Sequence, residues 1–179
     1  MTNNDILRRI RYIFDISDSN MIKIFAMADY EASREQISDW LKKEDDPDYK
    51  NCSDTLMATF LNGFINQKRG KREGEQPRPE SRLTNNLIFR KLNIALNLKA
   101  EEVLEIIEST DFIISKHELS AFFRKPGTKH YRECKDQILR RYLDGLRLKY
   151  RGQAKPENVT AEAVEELVPA FKWKPLTPK

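Results

Sequence analysis

The chain has 179 residues, of which 39% are apolar and 34% charged, and its formal net charge is +4 at pH 7. This composition supports the core of one ordinary domain or two small ones, and it excludes a largely disordered chain. The longest apolar runs, such as "IFAMA" at 24–28, exclude a membrane-spanning helix, and with no visible signal peptide and two cysteines we expect a cytoplasmic protein with reduced thiols.

Apolar residues recur at helical spacing in four segments before residue 70, and no segment alternates with the two-residue period of a strand. The first helix is expected to begin at an N-cap supplied by Asn3 or Asn4. The third begins at a predicted capping box, Ser33 with Gln36. The predicted buried positions are Ile6, Leu7, Ile10, Ile13 and Phe14 in the first helix, Met21, Ile22, Ile24 and Phe25 in the second, Ile37, Trp40 and Leu41 in the third, and Leu56, Met57, Phe60, Leu61 and Phe64 in the fourth.

The stretch "GKREGEQPRPESR" at 70–82 is rich in Gly, Pro and charge, so residues 71–83 are predicted to be a basic linker. The sequence then begins again. Shifted by 82 residues, positions 2–70 align with 84–152 without a gap and with 17 identities in 69 positions. The first helix of this copy is expected to begin at Asn85 or Asn86, and the capping box returns as Ser115 with Glu118.

Gly63 lies inside the fourth helix and returns as Gly145 in the copy. An interior Gly costs a helix about 1 kcal/mol against Ala, so its presence in both copies indicates a helix crossing too close for a Cβ atom. The chain is therefore predicted to be all-α, with two tandem four-helix units at 1–70 and 84–152 that are related by internal duplication and pack on each other.

Residues 153–179 are a predicted C-terminal tail with one short helix, capped by Thr160 and ended by Pro169. A hydrophobic staple between Val159 and Val164 fits the start of this helix. Phe171 and Trp173 follow on an extended segment bounded by prolines. This aromatic segment either docks on the body of the protein or forms an arm that binds a protein partner.

The segments "NNDILRRIRYIFDISD", "ISDWLKKEDDP" and "FLNGFINQKRG", together with their counterparts downstream, resemble the YehS-like family of bacterial proteins. The resemblance covers about residues 2–152. It implies a small cytoplasmic bacterial protein with a duplicated helical fold. It implies no activity and no catalytic residues, because the family is defined as a domain of unknown function, and the tail lies outside it.

The second and third helices of each unit resemble a helix-turn-helix, with predicted turns at 29–32 and 111–114. Turns of about three to four residues join the helices of that motif. The third helix would then face DNA with Arg34, Gln36, Ser38, Lys42 and Lys43 in the first unit, and with Lys116, His117, Ser120, Arg124 and Lys125 in the second. A plain helical hairpin accounts for the same pattern, since neither turn contains the frequent Gly.

The two units differ in charge, because residues 1–67 hold 8 Lys and Arg against 12 Asp and Glu, whereas residues 83–152 hold 14 against 9. A basic face attracts phosphate groups, and "RRYLDGLRLKYRG" at 140–152 sets basic residues beside Tyr142 and Tyr150. The alternative is a solvated helix face, or a basic unit docked on an acidic one. The candidate nucleic-acid-binding residues are Lys116, Arg124, Lys125, Arg140, Arg141, Arg147, Lys149 and Arg151.

No metal, cofactor or catalytic site is predicted. The acidic run "EDDPD" at 44–48 lacks the Gly and the distal Glu of an EF-hand loop, and His130 with Cys134 is only part of a zinc ligand set. No Ser–His–Asp order, P-loop or dinucleotide fingerprint is present, so the protein is predicted not to be an enzyme. Cys52 and Cys134 precede the fourth helices, where a thiol is either activated by the helix N-terminus or buried as a small apolar group.

Two functional classes follow from the sequence. The first is a nucleic-acid-binding or regulatory protein that contacts DNA or RNA through the second unit and the linker. The second is an interaction module or structural adaptor that binds a protein through a groove between the units or through Phe171 and Trp173. No membrane partner is expected, and the oligomeric state stays open. Functional specificity is expected where the units differ, because residues shared by both are most simply interpreted as maintaining the fold.

Overall fold

A computed structural model describes residues 1–152, which form eight α-helices and contain no strand. The first unit holds α1 (Asn3–Ile13), α2 (Asp18–Ala26), α3 (Arg34–Leu41) and α4 (Asp54–Arg69), and the second holds α5 (Asn85–Leu96), α6 (Ala100–Glu108), α7 (Lys116–Phe122) and α8 (Asp136–Arg151). Each helix of the second unit begins 82 residues after its counterpart in the first. The predicted all-α fold with two duplicated four-helix units is therefore confirmed.

The predictions for the tail, which concern Val159, Thr160, Val164, Pro169, Phe171 and Trp173, lie outside the described residues. Among the helices of residues 1–152, none combines the length and the apolar character needed to cross a bilayer.

α1 and α5 begin at threonine N-caps, so the prediction that Asn3 or Asn4, and Asn85 or Asn86, cap these helices is wrong. The Thr2 hydroxyl accepts a hydrogen bond from the backbone N–H of Asp5 at 3.2 Å, and the Thr84 hydroxyl accepts one from Leu87 at 3.3 Å. A threonine just before the asparagines already supplies the cap oxygen in an extended backbone. At α3 and α7 the predicted capping boxes are confirmed.

The next asparagine of each unit is buried and joins distant backbone segments. The Asn4 side-chain amide donates to the carbonyls of Trp40 at 2.9 Å and Lys50 at 2.8 Å, and its oxygen accepts from the Cys52 N–H at 2.9 Å. Asn86 repeats these bonds with Phe122, Arg132 and Cys134 at 3.0, 2.8 and 2.9 Å. Each asparagine therefore ties the start of the unit's first helix to the connection between its third and fourth helices.

The core of each unit contains most of the apolar residues that the helical period predicted, but Phe14, Ile22, Leu41 and Leu56 are only partly buried and pack against it. α4 is enclosed more completely than α8. Every residue from 57 to 64 is buried in α4, whereas α8 buries only one face. A helix that is buried all round lies at the centre of a packed structure. α4 has this place because it packs against α2 and α1 of its own unit and against α5 of the other.

Two helix pairs, α4 with α5 and α1 with α8, join the units. Arg9 on α1 lies 2.8 Å from the Asp144 carboxylate on α8. At the equivalent positions of the other pair, the Lys91 ammonium donates to the Asn62 side-chain oxygen at 2.6 Å, and it also lies 3.0 Å from Glu80 of the linker. The prediction that the units pack on each other is thus met by polar contacts that are equivalent in the two copies.

Four non-glycine residues of the described chain adopt a left-handed backbone, and they form two equivalent pairs: Asp15 with Asn97, and Asp29 with Asp111. Asp and Asn tolerate this conformation better than other side chains, because their short polar groups bond locally. The Asp29 and Asp111 identity is therefore explained by the turn that ends α2 and α6.

The glycines inside α4 and α8 lie where each helix crosses its neighbour. A Cβ at Gly63 would lie 1.8 Å from the Ile24 carbonyl oxygen, and a Cβ at Gly145 would lie 2.0 Å from the Ile106 carbonyl oxygen. A Cβ atom in a folded protein essentially never lies within 3.0 Å of such a neighbouring atom, so the backbones of α2 and α6 leave no room for a methyl group. The predicted close crossing is confirmed in both units.

We therefore expect Gly63→Ala and Gly145→Ala each to lower the free energy of unfolding by about 3 kcal/mol, because the neighbouring backbone must move to admit the methyl group. Urea denaturation followed by circular dichroism measures the change. Gln67→Ala, at an exposed position of α4, is the control and should stay within about 0.5 kcal/mol of the wild type. A Gly63→Ala protein as stable as this control would show that the crossing is not tight.

Candidate nucleic-acid interface

The candidate basic residues are exposed except for Arg147, which is half-buried. Three of them form ion pairs: Lys116 with Glu101 at 2.9 Å, Lys149 with Glu102 at 3.6 Å, and Arg151 with Asp15 at 3.6 Å. The hydrogen bond from Lys116 also lowers the pKa of Glu101. A phosphate group would compete with a carboxylate at each of these cations, so they are weaker candidates for binding than unpaired cations.

Arg141 has a structural contact, because its guanidinium donates to the Thr110 carbonyl at 3.2 Å, just beyond the end of α6. This bond joins α8 to the turn that follows α6. Within residues 1–152, no carboxylate lies within salt-bridge distance of the remaining four candidates, which are Arg124, Lys125, Arg140 and Arg147.

The two tyrosines beside these residues differ in exposure. Tyr142 is fully buried, its hydroxyl donates to the Asn93 side-chain oxygen, and burial raises its pKa. Tyr150 is partly exposed and packs on the Phe14 ring, with 5.2 Å between the ring centroids. Tyr142 is therefore a core residue, and only Tyr150 presents a surface to a nucleic acid base.

A surface pocket of about 360 Å³ opens between α7 and the connection that leads to α8. We call it the α7 pocket, and its lining residues are His117, Glu118, Ala121, Arg124, Lys129, His130, Tyr131 and Arg132. The Arg132 N–H donates to the Ala121 carbonyl at 3.2 Å and holds the connection against α7. The first unit has the same bond, from the Lys50 N–H to the Asp39 carbonyl at 3.2 Å. The backbone is therefore alike in the two units, and side chains make the difference.

In the first unit the equivalent surface is neutralised by its own carboxylates. The Lys42 ammonium lies 3.1 Å from Asp39 and 3.1 Å from Asp48. Hydrogen bonds to these two carboxylates, Asp39 first, raise the pKa of Lys42. Glu35 adds a third acidic residue at the position equivalent to His117.

In the second unit these three acidic positions hold His117, Ala121 and His130. Arg124 takes the place of Lys42 and has neither of its carboxylate partners. The remaining acid, Glu118, caps α7: its carboxylate accepts from the Ser115 N–H at 2.9 Å, which lowers its pKa, and it also lies 3.7 Å from Arg132. The α7 pocket therefore holds more cationic than anionic groups.

The sequence prediction included Arg124 but missed Lys129, His130 and Arg132 as members of one pocket. The signal was present in the repeat, because Asp39 and Asp48 align with Ala121 and His130. What the alignment did not show is that residues 39 and 48 meet at the ammonium of Lys42. Because both carboxylates contact Lys42, replacing them with Ala121 and His130 leaves the second unit without the two acids that neutralise the cation in the first.

The helix-turn-helix geometry is not met at the predicted turns. The connections between α2 and α3 and between α6 and α7 run over 27–33 and 109–115, which is longer than the turn of about three to four residues in that motif. α7 is also short, ending at Phe122, so Arg124 and Lys125 follow the helix rather than lie on it. These pairs are helix–helix connections, and the candidate interface consists of the α7 pocket and, separately, the exposed basic residues of α8.

Both cysteines are buried and unbonded. The Cys52 and Cys134 thiols lie under the start of α4 and α8, and burial, with a nearby acid at Asp54 or Asp136, raises the pKa of each to about 12. Of the two alternatives for these thiols, burial as a small apolar group is confirmed, and activation by the helix N-terminus is not.

The profile of one protein family, described as "Protein of unknown function (DUF1456)", matches the chain twice, over residues 3–70 and 85–152. The chain is also similar to the "Uncharacterized protein YehS" of Escherichia coli (strain K12), with 43% identity over 147 residues, covering 82% of this chain and 94% of that protein. No solved structure matches the chain. The two family matches coincide with the two helical units.

The buried thiols give a test of this part of the structure. At pH 8 and a pKa of about 12, only about one thiol in ten thousand is ionised, and the thiolate is the nucleophile. We expect neither cysteine to react with iodoacetamide in the folded protein and both to react in denaturant, as measured by mass spectrometry. Rapid alkylation of either cysteine in the folded state would contradict the placement.

Proposed function

The chain belongs to the DUF1456 family, whose function is unknown, and from the surface of this chain we propose that it binds nucleic acid through phosphate groups held in the α7 pocket. The role is non-catalytic and fits a regulatory or structural nucleic-acid-binding protein. The proposal concerns the second unit, and the first unit supplies the internal comparison.

One observation carries the proposal: a cation that is neutralised in the first unit has no carboxylate partner in the second among residues 1–152, on the same backbone. Lys42 has two carboxylate partners at 3.1 Å, whereas Ala121 and His130 stand at those positions in the pocket that Arg124 lines. A cation that is already buried or paired with a carboxylate is usually not available to an external anion. A guanidinium without such a partner, inside a concave basic surface, can bind one.

The chemistry of the pocket suits a phosphodiester. Arg124 supplies a planar fork of N–H donors, Lys129 supplies an ammonium, and His117 and His130 supply imidazole N–H groups. The only carboxylate of the lining is already engaged by the cap of α7 and by Arg132. The volume of about 360 Å³ admits a phosphate with part of its sugar, so contacts would be made to the backbone of a nucleic acid rather than to base edges.

Cations outside the pocket are further candidates for phosphate contacts. Arg140 and Arg147 have no carboxylate partner in the described chain, and a spacing of seven residues places them on the same side of α8. Lys125 directly follows Arg124 and is exposed. The ion-paired residues Lys116, Lys149 and Arg151 contribute less in the proposed complex, since a phosphate would have to displace a carboxylate from each.

The direct test restores the carboxylates of the first unit to the second, in the variant Ala121→Asp with His130→Asp. Fluorescence anisotropy with a single-stranded RNA and a duplex DNA, each about 20 nucleotides long, measures binding between about 50 and 200 mM salt. We expect the wild type to bind at low salt and to weaken as salt rises. The variant should bind at least about tenfold more weakly, because Arg124 regains internal partners.

The control introduces the same two negative charges elsewhere, with Thr55→Asp and Gln67→Glu on the exposed side of α4. It should bind nearly as the wild type does. An equal loss of affinity in the two double variants would show a general effect of charge rather than binding in the α7 pocket. Affinity unchanged from the wild type in both would place the site elsewhere. If the wild type binds neither nucleic acid at low salt, the proposal is wrong, and the interaction module or structural adaptor is the remaining functional class.

The α8 arginines show how far the surface extends. Arg140→Gln with Arg147→Gln leaves the structural contact of Arg141 intact, and it should reduce the slope of log affinity against log salt by about one to two. An unchanged slope would restrict binding to the α7 pocket.

A further inference from the structure

Two surface grooves lie at equivalent places on the two sides of the unit interface. The α1 groove has a volume of about 490 Å³ and is lined by Arg8, Tyr12, Asp15, Ile16, Leu41 and Arg151. The α5 groove has a volume of about 460 Å³ and is lined at the corresponding positions by Arg90, Ile94, Asn97, Leu98, Phe123 and Arg69. Each groove thus takes one arginine from the last turn of the opposite unit's fourth helix.

The α1 groove satisfies its own arginine. The Arg151 guanidinium lies 3.8 Å from the centroid of the Tyr12 ring, donates to the Tyr12 carbonyl and lies 3.6 Å from the Asp15 carboxylate. A cation stacked on an aromatic ring and paired with a carboxylate has little left to offer an external anion.

The α5 groove lacks both of these partners. Ile94 and Asn97 replace Tyr12 and Asp15, and among the residues that the structure describes no carboxylate lines this groove. Within residues 1–152, Arg69 forms no salt bridge and no side-chain hydrogen bond. The second guanidinium of the groove, on Arg90, is held in place by its bond to the Phe123 carbonyl.

The floor of the α5 groove is apolar. Leu98, Val103 and Phe123 line it beside Ile94, whose side chain is 48% exposed. A volume of a few hundred cubic ångströms, apolar walls and one or two fixed polar groups are the features of small-molecule sites. The exposed Ile94 and Arg69 line the same groove, so one ligand can contact both.

We propose that the α5 groove binds a small carboxylate with an apolar body. The carboxylate pairs with Arg69, and Arg90 adds positive potential. The apolar body covers Ile94 and Leu98. The α1 groove does not bind this ligand, because Arg151 is occupied by Tyr12 and Asp15. This site is independent of the α7 pocket and uses none of its residues.

The probe is 4-phenylbutyrate, with the neutral 4-phenylbutanol as its matched analogue, and binding to the full chain is followed by NMR and titration calorimetry. We expect one site per chain that accepts the carboxylate and not the alcohol. Arg69→Gln should weaken binding by about tenfold, because the charged hydrogen bonds are lost. Equal binding of the acid and the alcohol would overturn the proposal.

The duplication supplies a sharper pair of variants. Ile94→Tyr with Asn97→Asp copies the α1 groove into the α5 groove, gives Arg69 internal partners and should abolish binding. Tyr12→Ile with Asp15→Asn does the reverse and should raise the stoichiometry from one to two. All four positions are exposed, and Asp and Asn already share the left-handed backbone at 15 and 97, so both variants should fold. Undiminished binding by the first variant, or unchanged stoichiometry in the second, would overturn the proposal.

Discussion

One buried side-chain amide in each unit holds the arrangement on which the rest depends. Asn4 and Asn86 each bond three backbone groups at the two ends of the connection between the third and fourth helices. A buried backbone group left without its partner costs about 1–3 kcal/mol, so these residues are needed in both copies. The same connection borders the carboxylates around Lys42 in the first unit and the α7 pocket in the second. Its backbone is alike in both units because the same asparagine amide makes the same bonds to it.

The duplication separates residues that maintain the fold from residues that alter the surface. Arg8 and Arg90 are shared because each donates to a carbonyl at the end of the unit's third helix, that of Lys42 or Phe123. The glycines of the fourth helices are shared because of the close crossing. In both proposed sites a cation stands at the same position in the two copies, and the residues around it differ. In each, one copy pairs the cation with one or two carboxylates, and within the described residues the other copy has no carboxylate at the equivalent positions.

The unequal burial of α4 and α8 accounts for the different side chains that the two helices carry at equivalent positions. Ala58 and Thr59 are buried in α4, but the equivalent positions in α8 are Arg140 and Arg141, which are exposed. An arginine at position 58 would be enclosed without a partner, which is costly. The second unit can therefore carry basic side chains on a helix whose counterpart must remain apolar and small.

The sequence by itself determined the helices, the capping boxes at Ser33 and Ser115, the duplicated units and the tight crossing at Gly63 and Gly145, because these depend on local periodicity and on register between the copies. It placed the caps of α1 and α5 on the wrong residues, since Thr2 and Asn4 are both capable of capping and only the tertiary contacts of Asn4 decide between them. It also did not distinguish paired from unpaired cations. Arg151 meets Asp15, and Lys149 meets Glu102, across long stretches of chain. Whether a charge is neutralised depends on separations of a few ångströms between residues distant in sequence, and only the tertiary structure sets those separations.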